Sequence, residues 1–154
     1  MKVFVIYDSK YGNTKIAAEN ILEGIKQVEG IEAAIGYAKE VGIQLLFSYD
    51  ALILGAPNHM ASPSRTMKKF VEKLAELGLK DKNVAVFGTY SGRERNPDRA
   101  VKKLEKIIEK SLPNLKLLSP SLSIKVKGVT GPLIEGESHK CTDFGKRIAT
   151  QLNT

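Results

Sequence analysis

What most constrains this chain is a recurring unit: a short apolar run, a polar turn, then a stripe of apolar residues at helical spacing. Residues 2–7 are β-branched and aromatic with almost no polar interruption, the pattern of a strand buried on both faces. Residues 8–14 form a loop rich in helix-capping side chains, and Ala17, Ile21, Leu22, Ile25 and Val28 then fall on one helical stripe. The unit recurs with a strand at 51–55, a loop at 56–64 and a helix facing inward through Met67, Phe70, Val71, Leu74 and Leu77. It recurs again with a strand at 83–87, a loop at 88–96 and a helix carrying Val101, Leu104, Ile107, Ile108 and Leu112. A weaker strand at 31–35 follows the first helix. Residues 116–127 hold one or two strands broken by Ser119-Pro120, and 138–152 end the chain with Cys141, Phe144, Ile148 and Leu152 on one stripe. Alternation at this spacing predicts a parallel sheet with helices on both faces, because right-handed crossovers leave little else. The expected fold is an α/β three-layer sandwich of about five strands.

Composition narrows the class further. The 154 residues are 42% hydrophobic and 27% charged, which suits one folded domain over 1–154 rather than a disordered or fibrous chain. The longest uncharged stretch, 51–64, is short and interrupted by Gly55, Pro57 and Asn58, so no membrane span is expected. The apolar run after Lys2 is too short for the core of a secretory signal, which places the protein in the cytoplasm as an expectation. A single cysteine, Cys141, forms no internal disulfide, and with only His59 and His139 beside it the chain offers no expected metal site.

Charge is distributed unevenly. Residues 1–50 carry five lysines against seven acids, whereas 51–154 carry nineteen basic side chains against ten acids, within a net charge of +7. Such a surface attracts anions of several kinds: nucleic acid, anionic lipid, a phosphorylated cofactor or an acidic protein.

Open parallel sheets bind ligands beyond the carboxyl ends of their strands, which points to the loops 8–14, 56–64 and 88–96. The first is the most specific feature of the chain. Between a buried strand and a helix start, Ser9, Lys10, Tyr11, Gly12, Asn13 and Thr14 gather free backbone N–H groups at the positive end of a helix dipole, with hydroxyls from Ser9 and Thr14 and close backbone approach at Gly12. The loop lacks the lysine-serine ending of a triphosphatase P-loop and the three-glycine spacing of a dinucleotide fingerprint, so a terminal phosphate monoester suits it better. The alternative is that Ser9, Asn13 and Thr14 merely cap the helix and satisfy its own amides.

The pattern Ser9-x-Tyr11-Gly12-x-Thr14 after Val5-Ile6-Tyr7 resembles the FMN-phosphate loop of the flavodoxin family. The resemblance extends through 49–57, similar to the family's third strand and following loop, and through 140–149, similar to its last helix. Tyr11 departs from the commoner small hydroxyl residue, and tyrosine followed by Gly-Asn-Thr is similar to the flavodoxin domains of flavodiiron proteins and to FMN-dependent quinone reductases. The resemblance implies a flavodoxin-like sandwich with a five-stranded parallel sheet in the order 2-1-3-4-5, and FMN as cofactor. It implies contacts to the flavin from Pro57, Asn58, His59 and Met60 on one side and from Thr89, Tyr90, Ser91 and Gly92 on the other. In the absence of tryptophan, Tyr90 is the expected stacking partner. Arg93 and Arg95 stand where many flavodoxins place acids, and positive charge there would favour anionic reduced flavin.

FMN carries redox chemistry itself, and the candidate loops hold no Ser-His-Asp trio, carboxylate pair or metal-ligand cluster, so no separate catalytic residue is expected. The leading reading is an electron carrier between redox partner proteins, with no room in these residues for an NAD(P)H-binding or diiron domain. The basic face that includes Arg65, Lys68, Lys69 and Lys73 would favour an acidic partner such as a ferredoxin-like protein, unless it is an ordinary solvated helix face. One alternative is a small FMN-dependent NAD(P)H:quinone or flavin reductase. Another is a flavin-free interaction module; nucleic acid is not the expected ligand, because the basic residues are spread over three segments without interleaved aromatics.

Overall fold

The apolar run at the start of the chain becomes β1 (Lys2–Tyr7), whose side chains divide by parity. Val3 and Val5 enter one apolar cluster and Phe4 and Ile6 the other, all of them buried. A strand with helices over both faces has no solvated side, which is why the run has no polar alternation. The computed structural model describes residues 1–92, 94–128 and 130–154. After β1 come α1 (Asn13–Lys26), β2 (Glu32–Tyr37), a 3-10 turn (Ile43–Ser48), β3 (Ala51–His59), β4 (Ser62–Pro63) and α2 (Arg65–Leu77). They are followed by β5 (Asn83–Ser91), α3 (Arg99–Ser111), β6 (Lys116–Leu117), β7 (Leu122–Val126) and α4 (Glu137–Leu152).

The sheet runs β2-β1-β3-β5 with parallel pairing throughout, and its fifth position is shared by β6 and β7. β6 pairs with the start of β5 (Asn83↔Lys116) and β7 with its end (Phe87↔Leu122 to Ser91↔Val126). The order expected from the resemblance is therefore present, with the last strand in two pieces. Pro120 has no N–H to donate, so the ladder cannot pass through the break. The Arg147 guanidinium on α4 donates to the carbonyl oxygens of Ser119 (3.1 Å) and Pro120 (2.5 Å) instead. α2 and α3 cover one face through Met67, Phe70, Leu74, Leu104 and Ile108, and α1 and α4 cover the other through Ile21, Ile25, Phe144 and Ile148.

Two strands run well past the ends that their apolar patterns predict. β3 continues to His59 and folds back through Met60 and Ala61 to pair antiparallel with Ser62–Pro63, so the predicted 56–64 loop is largely a hairpin. β5 likewise continues to Ser91, through Ala56↔Gly88 and Pro57↔Thr89. Pro57 is tolerated because the β1–β3 ladder ends at Tyr7↔Gly55, leaving that edge of β3 without a neighbour. β2 also begins later than expected, at Glu32, and ends at Tyr37. Among the described residues no helix is long and apolar enough to cross a membrane.

α1 and α4 approach at a reciprocal pair of glycines. A Cβ at Gly24 would collide with the Thr142 carbonyl oxygen, and one at Gly145 with that of Ile21. This contact sets how deeply α1 beds against the sheet, and thus where its N-terminus lies. Gly145→Ala should therefore lower stability by about 1–3 kcal/mol through overpacking. An open helix position would instead gain about 0.5–1 kcal/mol from the same change. Urea denaturation reads the sign, and a stabilised variant would contradict the contact.

Cys141 is fully buried on the same helix, and burial, aided by the Glu137 carboxylate, pushes its thiol from 9.0 up to about 12. Because the folded chain then holds this proton more tightly than the unfolded one, the group's contribution to stability is lost as pH rises from about 9 toward 12. At pH 8 a thiol reagent should leave the native protein unmodified and label Cys141 stoichiometrically in guanidinium. Rapid labelling of the native protein would contradict its burial.

Candidate functional site

At the carboxyl edge of the sheet, the loop after β1 turns into α1 through Gly12, whose φ of 91° is left-handed, with open space where a Cβ would stand. The Gly12 N–H donates to Ser9 Oγ at 2.9 Å, and the Gly12 carbonyl accepts from the Ile16 N–H at 3.0 Å. Among the described residues no side chain caps the helix start. The N–H groups of Lys10, Tyr11, Asn13, Thr14 and Lys15 consequently have no acceptor among the described residues. Plain helix capping, the alternative left open by the sequence, is thus not what these residues do. Ser9 caps the turn of the loop rather than the helix.

Thr14 is buried, and its Oγ1 lies 2.9 Å from Oγ1 of Thr89, also buried, at the end of β5. One hydroxyl donates to the other, so between them the pair retains one O–H for a ligand. Asn13 is buried as well, with its side-chain amide directly against Gly131 in the segment between β7 and α4. Lys10 and Tyr11 are exposed: the Lys10 ammonium sits 5.3 Å from the centre of the Tyr11 ring, and Tyr11 is 50% exposed.

The three predicted loops meet in one cleft of about 510 Å³, counting space continuous with solvent. It is lined by Ser9, Lys10, Tyr11, Asn13 and Thr14 from the first loop, Pro57, Asn58 and His59 from β3, and Thr89, Tyr90 and Ser91 from β5. Gly12 opens onto the adjoining groove beside Tyr7 and Tyr37. Met60 stands apart: it occupies the tip of the β3–β4 hairpin at φ 53°, is 99% exposed, and does not line the cleft. Gly92 lies just outside, close to the Lys125 side chain. Arg93 falls outside the described residues, and Arg95 is exposed.

Sequence reading missed two contributors. Val126 lines the cleft because the β5–β7 register sets it opposite Ser91, a pairing that no local motif announces. Glu94 accepts a hydrogen bond from the Asn58 side-chain amide at 3.4 Å, tying the second loop to the third. The other end of that amide, Asn58 Oδ1, is buried and has no hydrogen-bond partner among the described residues. Burial, followed by the nearby Glu137 carboxylate, raises the Tyr90 phenol above its ordinary range, against the opposite pull of Lys140. Tyr90 is therefore a neutral aromatic surface at the cleft wall.

These features fit FMN. Unpaired amides at a left-handed turn suit a phosphate dianion, the orphaned Asn58 oxygen can accept from a ring N–H, and a half-buried phenol offers a stacking face. Among the described residues no group of three metal-ligating side chains occurs.

Comparison with known proteins agrees with this geometry. A family model described as a flavodoxin domain matches residues 4–118. A flavodoxin of Clostridium saccharobutylicum is 34% identical over 89 residues, covering 58% of this chain and 56% of the relative. One from Aquifex aeolicus is 38% identical over 71 residues, covering 46% of this chain and 38% of the relative. The alignments thus span about half or less of the length of these curated relatives. The solved structure of a flavodoxin from the domain Archaea superposes with a TM-score of 0.83 at 23% identity, covering 100% of both chains, a likeness of fold. With well over half of its length matched by the family model, the chain belongs to the flavodoxin family, whose proteins bind FMN.

Proposed function

We propose that residues 1–154 act as a single FMN-binding domain that carries electrons between redox partner proteins. The observation that carries this reading is the set of acceptor-free amides at the start of α1, in a turn that leaves room for a phosphate. Ser9 through Thr14 hold the phosphate, the Thr14–Thr89 pair donates its remaining O–H there, and Tyr90 stacks on the ring. Asn58 receives a ring N–H, while Pro57, His59, Thr89 and Ser91 shape the walls. Bound FMN supplies the redox chemistry, and this chain's residues bind it, orient it and limit access to it. The basic surplus selects an acidic, ferredoxin-like partner, because potentials of opposite sign speed encounter and like signs suppress it.

The proposal is tested by adding FMN to the purified protein and following the visible spectrum. A one-to-one yellow complex that accepts electrons from a one-electron donor is expected; failure to bind after reconstitution would remove the cofactor claim. Variants separate the parts of the site. Thr14→Val should weaken FMN at least tenfold, roughly 1.4 kcal/mol, while changing riboflavin, which lacks the phosphate, less than twofold. Tyr90→Ala should weaken both flavins alike, by about 0.5–1.5 kcal/mol. Equal losses for both flavins in Thr14→Val would contradict the phosphate assignment.

The hydroxyl pair also has a structural cost when broken. Thr89→Val leaves Thr14 Oγ1 buried without its partner and should destabilise the protein by about 1–3 kcal/mol in chemical denaturation. Thr89→Ser, which keeps the hydroxyl, should recover most of that loss, and an equally unstable serine variant would show that packing rather than the hydrogen bond is at stake.

A further inference from the structure

A second concave surface lies on the other side of the sheet from α1. A groove of about 710 Å³, again counting space continuous with solvent, runs between the start of α2 and the residues just after β2, lined by Lys39, Arg65, Lys69 and Lys73 with Phe70 beneath. Arg65, Lys69 and Lys73 recur every four residues, so they form one straight row about 12 Å long on α2. Glu72 and Glu76 share the helix, yet no ion pair to any of the four cations occurs among the described residues. The positive end of the α2 dipole, where the Ser64 hydroxyl accepts from the Met67 N–H, adds to the potential at the Arg65 end.

On the same side of the sheet the 3-10 turn packs against α2, and on that turn Leu45 and Phe47 are 60% and 54% exposed. A row of cations without ion pairs among the described residues, on a helix whose adjoining turn exposes apolar side chains, has the composition of a protein-docking face. The geometry disfavours other anions. Three cations in a row with Lys39 across the groove do not form the tight cage of a single phosphate, and the groove's aromatic, Phe70, is only 4% exposed and cannot stack on a base.

The position matters too. Arg65 comes two residues after Pro63, and the β4 strand that holds Pro63 pairs with Asn58 and His59 at the cleft wall. A partner seated on the row would therefore lie beside the mouth of the cleft.

We infer that the groove between α2 and Lys39, extended by the 3-10 turn that carries Leu45 and Phe47, is the docking surface for an acidic electron-carrier protein. The inference rests on the carrier reading above for its purpose, while the contact itself stands on charge and shape.

The test uses an acidic plant-type ferredoxin as the probe. Stopped-flow spectroscopy would follow electron transfer from the reduced ferredoxin to the FMN-loaded protein across ionic strengths, and calorimetry would follow binding of the oxidised ferredoxin to the protein without flavin. Two triple variants remove equal charge from different faces: Arg65→Gln/Lys69→Gln/Lys73→Gln on α2, and Lys102→Gln/Lys103→Gln/Lys106→Gln on α3. The α2 variant should lose at least tenfold in second-order rate and in ferredoxin affinity at low salt, with a flattened salt dependence, while FMN affinity stays within twofold. The α3 variant should stay within threefold on every readout. Leu45→Ser/Phe47→Ser should weaken ferredoxin binding with little change in its salt dependence.

Equal losses in the two lysine-row variants would show that net charge alone acts, and would overturn the inference. So would an α2 variant that binds ferredoxin normally, or a protein that binds a 20-base-pair DNA duplex through these residues and not ferredoxin. If FMN failed to bind while ferredoxin still bound through the α2 row, the carrier reading would fall and the docking surface would stand.

Discussion

Everything in this molecule that bears on chemistry depends on where the first turn of α1 is held. Its amides can serve an anion only if they are fixed at the carboxyl edge of the sheet with nothing else to bond. β1 does the first part: hydrogen-bonded on both sides, to β2 and β3, it delivers Asp8 to the edge, where the Asp8 N–H donates to the Gly55 carbonyl at 2.9 Å. The glycine contact between α1 and α4 fixes the depth and rotation of the helix behind that turn. A left-handed Gly12 and a Ser9 hydroxyl spent on the loop itself leave the helix amides unanswered. Such an arrangement costs stability in isolation, since unpaired amides away from ligand must rely on solvent.

Much of this was legible in the chain because buried parallel strands cannot hide. The runs at 2–7, 51–55 and 83–87 carry no alternation, and the capping-rich loop after the first is unusual enough to name a ligand class. Less legible were the strand extensions through Ala56-Pro57-Asn58-His59 and Gly88-Thr89-Tyr90-Ser91. Proline, glycine and polar side chains read as loop, yet here the two segments support each other by pairing beyond the end of β1. The pairing of Thr14 with Thr89, 75 positions apart, and the placement of Val126 opposite Ser91 depend on register, which local patterns do not encode. Met60 is the converse case: a thioether suits a flavin face by chemistry, but the two-residue turn leaves it 99% exposed and outside the cleft lining.

Charge links the site to its surroundings. The row on α2 and the phosphate turn on α1 both start from the carboxyl edge of the sheet, on helices that cover its opposite faces. The acids of residues 1–50 outnumber their lysines, so the positive surplus resides in the later elements, where the row lies. Encounter steered by such a field is rapid and salt-sensitive, whereas the cleft, with its neutral donors and raised Tyr90 phenol, depends on short-range geometry.

The central claim is that backbone amides between Ser9 and Thr14, with Thr14 and Thr89 behind them, grip a phosphate monoester. Phosphorus-31 NMR of the FMN complex tests it most directly, because a free phosphate monoester takes up a proton near pH 6. The account predicts a single shifted resonance that does not move between pH 5 and 8, the dianion being held by its donors. A resonance that titrates as free FMN does would contradict it.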